Sequence, residues 1–321
     1  MELDLIDRKL LYFLDLNARE SLSSVAKRLK IGRNVALYRL NKLKESGIIK
    51  GAFAEINNTA LGYFSFRIFL KIGNFSSSRE KELLQFLTKK NELLWLSKVI
   101  GKWDIDLVIM YKSIQEFNFF EEELLLEFND IIEEKQISIL TSIFHFPRDY
   151  LISKERKNSN PTILKTDKKV EIDSKDEQLL VILTENAFIN IVDISAKLKL
   201  SINTVKKKLK SLKNSGVILN YRLFIDTEEL GYEYYKLHLS LKNYNKSDIQ
   251  KLKSWLSSNA NVIYIDHYIN GEDFEIELHL KNESEYLSFY NELKNQFSNI
   301  IKGHFLLKFY DNMIYKYLPI K

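Results

Sequence analysis

Residues 25–50 read VAKRLKIGRNVALYRLNKLKESGIIK, and the rest of the chain is interpreted from them. Val25, Ala26 and Leu29 recur at helical spacing, Lys30-Ile31-Gly32 makes a tight turn, and a second helix begins at Arg33. In that helix Ala36, Leu40 and Leu43 share one face, and Gly47 stops it ahead of an apolar run. The opposite face carries Asn34, Tyr38, Asn41 and Lys42, flanked by Arg33 and Arg39. Two short helices joined by a tight turn form the helix-turn-helix unit, whose second helix can enter a DNA major groove.

A self-comparison shows that this unit is written twice. Leu10-Leu11 returns as Leu179-Leu180, Leu29 as Leu198, Gly47 as Gly216 and Leu61-Gly62-Tyr63 as Leu230-Gly231-Tyr232, all offset by 169 residues. So long a period excludes a solenoid. Each repeat opens with a helix, near Asp4 and Asp173, followed by a second one, for which Ser21 is the expected N-cap in the first repeat. The extended run 48–56 is expected to be a wing or a connecting strand.

From Tyr63 the pattern changes to period two, with Phe64, Phe66, Ile68, Leu70 and Ile72 on alternating positions. Helical and extended segments then alternate as βαββαβ, a ferredoxin-like order. Unit two repeats the scheme, with strands near 233–243, 262–270, 274–281 and 302–315. The fold class expected is α+β: two winged helix-turn-helix domains (1–57 and 172–226) alternating with two ferredoxin-like domains (58–148 and 227–321). Residues 149–171, polar and basic with Pro161 near the middle, are expected to be an interdomain linker, one that could lie along DNA.

Composition narrows the function classes. The chain has 321 residues, net charge +5 and no cysteine, which excludes disulfides, thiolate zinc sites and cysteine catalysis. No apolar run reaches membrane-span length and no signal-peptide pattern opens the chain, so a cytoplasmic location is expected. Charge is unevenly placed: residues 1–50 hold eleven Lys and Arg against six Asp and Glu, while residues 63–147 hold ten against thirteen. An anionic partner bound through part of the chain requires that asymmetry.

The stretches LDLIDRKLL, VAKRLKIGRNVALYRLNKLKESGII, LGY and GKWDIDLVI occur in that order. In unit two they return as IDSKDEQLL, ISAKLKLSINTVKKKLKSLKNSGVI, LGY and GEDFEIEL. With them the chain resembles the Lrp/AsnC (feast/famine) family of prokaryotic transcription regulators, whose ferredoxin-like domain is of the RAM type. Members usually carry one unit and dimerise through that domain, with a small effector such as an amino acid bound between subunits. The resemblance therefore implies an intramolecular pseudo-dimer, leaves room for further self-association, and places Gly101, Trp103 and Asp104, and Gly271, Asp273 and Phe274, near an effector pocket. Unit two has one extra residue before its aromatic position, so the two pockets should differ.

Double-stranded DNA is the expected partner. The residues expected to meet it are Arg33, Asn34, Tyr38, Arg39 and Lys42 in unit one, and Ser201, Asn203, Thr204, Lys207, Lys208 and Lys210 in unit two. Arginine and asparagine can each bind a base through two hydrogen bonds, whereas lysine is a mobile point charge. Unit one should therefore read more sequence and unit two supply more phosphate affinity. Two sets of acids, Asp104 with Asp106 and Glu275 with Glu277 and His279, alternate along strands and are expected to form solvated faces. No catalytic motif, metal-ligand spacing or cofactor loop appears, so neither catalysis nor a cofactor is expected. The competing readings are an enzyme resembling the paired siroheme decarboxylases, which needs arginines and histidines around an anionic tetrapyrrole, and an effector-binding or assembly module that has lost DNA binding.

Overall fold

The computed structural model describes residues 3–73, 77–156, 160–165 and 169–319. Unit one begins with α1 (Leu5–Leu16), α2 (Leu22–Leu29) and α3 (Arg33–Glu45), followed by β1 (Ile49–Ile56). Asp4 and Asp7 form a capping box at α1, and the Ser21 hydroxyl accepts from Ser24 N at α2. Lys30 takes a left-handed conformation (φ 56°) between α2 and α3, as Lys199 (φ 55°) does at the equivalent turn of unit two. The unit continues through β2 (Phe64–Ile72), α4 (Ser77–Thr88), β3 (Leu93–Gly101), β4 (Ile105–Tyr111), α5 (Ile114–Phe128), β5 (Ile132–His145) and the short β6 (Thr162–Lys165). Unit two comprises α6 (Ser174–Glu185), α7 (Ile191–Leu198), α8 (Ile202–Asn214), β7 (Ile218–Ile225), β8 (Glu233–Leu241), α9 (Lys246–Ser258), β9 (Val262–Ile269), β10 (Phe274–Leu280), α10 (Glu283–Phe297) and β11 (Ile301–Tyr315).

The two ferredoxin-like sheets join at both edges. Their order is β5-β2-β4-β3 in unit one and β11-β8-β10-β9 in unit two; β3 pairs with β11 and β5 with β9. Every pairing is antiparallel, so eight strands close into a barrel with β6 laid against β5. Closure pairs edges that a single unit would leave exposed. Outside the barrel, Leu83, Leu87, Phe117 and Leu124 of α4 and α5 cover Ile68, Leu107 and Ile109. Leu252, Leu256, Phe289 and Leu293 of α9 and α10 cover the opposite wall. The outer strand faces are therefore occupied by helices rather than free for self-association.

The helix-turn-helix units are not independent domains. β1 pairs antiparallel with β7, Ala52 opposite Leu223, and one hydrophobic core runs through both three-helix units. Each first strand completes its sheet with its counterpart from the other repeat. Arg19 donates to the carbonyls of Ala187 and Ile189 at 2.7 and 2.8 Å, which locks the junction from a second side.

Two expectations from sequence need correction. The basic linker is docked over much of its length: Arg156, 8% exposed, donates to Asp149 at 2.7 Å and to the Val262 carbonyl at 2.8 Å. The charge of Arg156 is thus used inside the fold, while Lys154, Lys165 and Lys169 are exposed, and residues 157–159 and 166–168 of the expected linker lie outside the described residues. The acid-bearing strands are not solvated faces either. Asp106 and Glu275 are fully buried, with Glu277 and His279 nearly so, because the polar side of each strand turns into the closed barrel. Asp104 alone of that set is partly exposed, pairing with Lys71 at 3.1 Å. Among the described residues, no helix is long and apolar enough to cross a membrane and no group of His, Cys, Asp and Glu could hold a metal ion.

Candidate nucleic-acid interface and the barrel lumen

Ala36, Leu40 and Leu43 seat α3 in the shared core, which turns the other side of the helix outward. Arg33, Asn34, Tyr38 and Lys42 are exposed, and their side chains make no hydrogen bond or ion pair with the described residues. Tyr38 is 68% exposed, a large aromatic ring with no stacking or cation partner among the described residues. In unit two, Val205 and Leu212 seat α8, while Asn203, Lys206, Lys207 and Lys210 stand exposed.

Four expected contact residues have internal duties. Arg39 donates to both Asp4 and Asp7 at 2.7 Å. Lys208, its equivalent, pairs with Asp173 at 2.7 Å and Asp176 at 3.0 Å. These pairs staple the recognition helix of each unit to that unit's first helix, so Arg39 and Lys208 are committed within the protein. Ser201 caps α8 through Thr204 N, and its hydroxyl also meets Thr204 Oγ1 at 2.9 Å. Helix α3 has Gly32 at the same place and no side-chain cap, leaving its first-turn N–H groups open toward an approaching phosphate.

The turns suggested as an effector site are not brought together. Trp103 is buried inside the barrel among Phe69, Val99, Leu307 and Phe309, and Gly101 (φ 144°) lies against the Leu306 carbonyl. Phe274 belongs to the unit-two helix core, and Asp273 accepts from Leu241 N at 2.6 Å.

The barrel lumen holds a charge cluster that the sequence did not reveal. Arg67 and Lys236 occupy equivalent positions, 169 residues apart, and both point inward. Arg67 forms a two-bond pair with Asp106 and reaches Asp266 at 3.3 Å and Glu277 at 3.4 Å. Lys236 lies 2.9 Å from Asp266, 2.9 Å from Glu275 and 3.1 Å from Glu277. Burial pushes the Asp266 carboxyl up to about 7, against the pull of Lys236. Burial also works against the charge of Glu277, but Lys236 and Arg67 outweigh it and hold that carboxyl low. Tyr234 donates to Glu277.

A second buried chain of groups runs from the lumen to the helix-turn-helix core. Glu55 of β1 meets His145 Nδ1 at 2.6 Å, and Arg222 of β7 meets His145 Nε2 at 2.9 Å. Arginine can only donate, so Nε2 accepts and Nδ1 carries the proton that it gives to Glu55. Burial and the neighbouring Arg222 keep this histidine below its ordinary pKa, in accord with that neutral tautomer. Arg222 also lies 3.1 Å from Asp15 of α1, which takes a second contact at 2.5 Å from Arg148. A charged residue interrupting an apolar strand, as Arg67 does between Phe66 and Ile68, is the sequence signal that could have exposed the cluster.

Paired helix-turn-helix heads with outward polar rows, fixed on one closed barrel, define a protein of the helix-turn-helix DNA-binding class. Residues 3–50 and 172–218 each match a family model described as winged helix-turn-helix DNA-binding. An uncharacterised HTH-type transcriptional regulator of Pyrococcus horikoshii is 31% identical over 143 residues, which cover 44% of this chain and 89% of that protein. The HTH-type transcriptional regulator Ptr1 of Methanocaldococcus jannaschii is 32% identical over 122 residues, covering 38% of this chain and 80% of its own. The chain belongs to the Lrp/AsnC family of HTH-type transcriptional regulators, in a two-unit form, and is a DNA-binding transcriptional regulator. The crystal structure of the siroheme decarboxylase NirDL shares the fold across the chain: TM-score 0.65, 13% identity, 97% of this chain and 93% of that one.

Proposed function

We propose that α3 and α8 enter successive major grooves of one DNA duplex, and that a small molecule in the barrel modulates their hold. The observation that carries the first part is the contrast within α3. Arg39 is tied inward, while Arg33, Asn34, Tyr38 and Lys42 are left exposed without hydrogen-bond or ion-pair partners among the described residues. Arg33 and Asn34 supply the two-bond geometries that discriminate bases, each worth roughly 1–3 kcal/mol. Lys206, Lys207 and Lys210 supply point charges suited to phosphate. Unit one is thus the sequence reader and unit two the electrostatic anchor.

The second part is supported by the route Glu55–His145–Arg222–Asp15, which joins the lumen to the first helix of the DNA-binding core. A ligand that prefers one arrangement of this route shifts the population of DNA-competent molecules. We read the chain as a binding protein rather than an enzyme of the siroheme decarboxylase kind. Its two lumen cations are already matched by four carboxylates, which oppose a polycarboxylate macrocycle.

The test is fluorescence anisotropy on a bound duplex and on its scrambled counterpart, across a salt series. Arg33→Ala should lower affinity for the specific duplex more than for the scrambled one. Lys207→Ala should weaken both alike and flatten the salt dependence by about one counterion. Equal, uniform losses for both variants would contradict the division of labour.

A further inference from the structure

The charges inside the barrel do not balance. Arg67 and Lys236 face Asp106, Asp266, Glu275 and Glu277, and Glu55 adds a further carboxylate at the β1 side of the lumen. Asp266 (2% exposed) and Glu55 (7% exposed) each keep one carboxylate oxygen without a hydrogen-bond partner, Oδ1 and Oε2 respectively. Both residues, with Glu277, line a cavity of about 170 Å³. Its lining includes the aromatic side chains of Phe53, Trp95, Tyr234, Tyr264, Tyr268 and Tyr315, and its cations are Arg67, already paired with Asp106, and the exposed Lys316. Carboxylate oxygens left over beside aromatic rings favour positive charge twice, by direct attraction and through the ring faces.

We propose that this cavity binds a small organic cation, a primary amine or guanidine carried on a compact apolar or aromatic body. The size fits, since a cavity of roughly 150 Å³ accommodates benzene. An anion of the same body would find both lumen cations engaged and would bring its charge beside Asp266 and Glu55 in a low-dielectric site. A zwitterion would satisfy those oxygens with its ammonium, but its carboxylate would meet Arg67 already paired with Asp106 and could be matched only by the solvent-exposed, screened Lys316. The site is not repeated by the duplication: Tyr234, Tyr264, Asp266 and Glu277 stand where unit one has Ser65, Trp95, Ser97 and Val108. One ligand per chain is therefore expected, not two related by the repeat.

This inference deepens the effector part of the proposed function and rests on it only for the regulatory consequence. The test is calorimetric titration of the full chain with 2-phenylethylamine, agmatine, phenylalanine and 3-phenylpropionate, which separate charge from body. At least one amine should bind with unit stoichiometry, about tenfold or more tighter than phenylalanine and 3-phenylpropionate, and Asp266→Asn should weaken it by a similar factor. Equal or tighter binding of the zwitterion or the anion overturns the proposal, as does failure of both amines to bind. The ligand series on the unaltered chain decides even if Asp266→Asn fails to fold. Anisotropy with DNA is measured separately: DNA binding without amine binding overturns this inference alone, and amine binding without DNA binding overturns the regulatory reading alone.

Discussion

Arg39 Nη1 lies 2.7 Å from Asp7 Oδ1, which turns a side chain on the flank of the recognition helix back onto the helix that precedes it. Lys208 and Asp176 repeat the relationship in unit two at 3.0 Å. The orientation of α3 and of α8 is thereby set by a charge pair within each unit, and the outward row beside it stays exposed, as the proposed DNA contact requires.

Replacing Arg39 should accordingly resemble a stability lesion more than a specificity lesion. Arg39→Ala is expected to destabilise the fold by about 1 kcal/mol, since both partners are carboxylates but Asp4 is largely exposed and screened. Its effect on specific and scrambled duplexes should be nearly equal. Thermal unfolding together with anisotropy checks this; a selective loss on the specific duplex would return Arg39 to the base-reading set.

Asp15 is the reverse case, fully buried between Arg148 and Arg222. Removing its charge strands two guanidinium groups in the interior, so Asp15→Asn should cost on the order of 3–5 kcal/mol in urea unfolding. Because both helix-turn-helix units share one core, the loss should appear in a single cooperative transition of that core. A change below about 1 kcal/mol would mean that solvent reaches Asp15 and that the route from the lumen is open.

Acid should weaken the fold from a pH set by histidine. Burial holds His145, His238 and His279 below their ordinary value, His279 at about 3. A depressed histidine pKa means the unfolded chain takes up protons first, so stability is full above about pH 6.5 and falls as pH drops below it. Asp266 runs oppositely: raised to about 7, it is protonated in the folded state first and offsets one of the three histidines between about pH 7 and 4. A net loss remains, expected as a melting temperature that declines from about pH 6.5 toward 4.5. A flat profile over that range would show that these histidines ionise without unfolding.

Much of this architecture was legible in the residues. The 169-residue offset exposed the duplication, the Lys30-Ile31-Gly32 turn located the reading helix, and period-two alternation located most of the strands. What alternation could not say was which side of a strand meets water. Asp106 and Glu277 look like a solvated face because their neighbours Ile105, Leu107, Ile276 and Leu278 are apolar. They are buried only because β3 meets β11 and β5 meets β9, long-range pairings that close the barrel. The internal pairing of Arg39 and Lys208 was hidden for a related reason: helical periodicity gives a face, but not the neighbouring helix that meets a residue at its margin. The linker charge on Arg156 was likewise spent on Asp149 and on carbonyls that only the folded chain brings near.

We propose that one chain presents two unequal reading helices in a fixed arrangement. Selection of bound sequences from a randomised duplex pool, followed by sequencing, tests it most directly. The account predicts an asymmetric site: one half-site with strong base preferences set by α3, and a second, about a helical turn or a multiple of it away, with weak preferences. A symmetric palindrome with equal information in both halves, or a pool without enrichment, would contradict it.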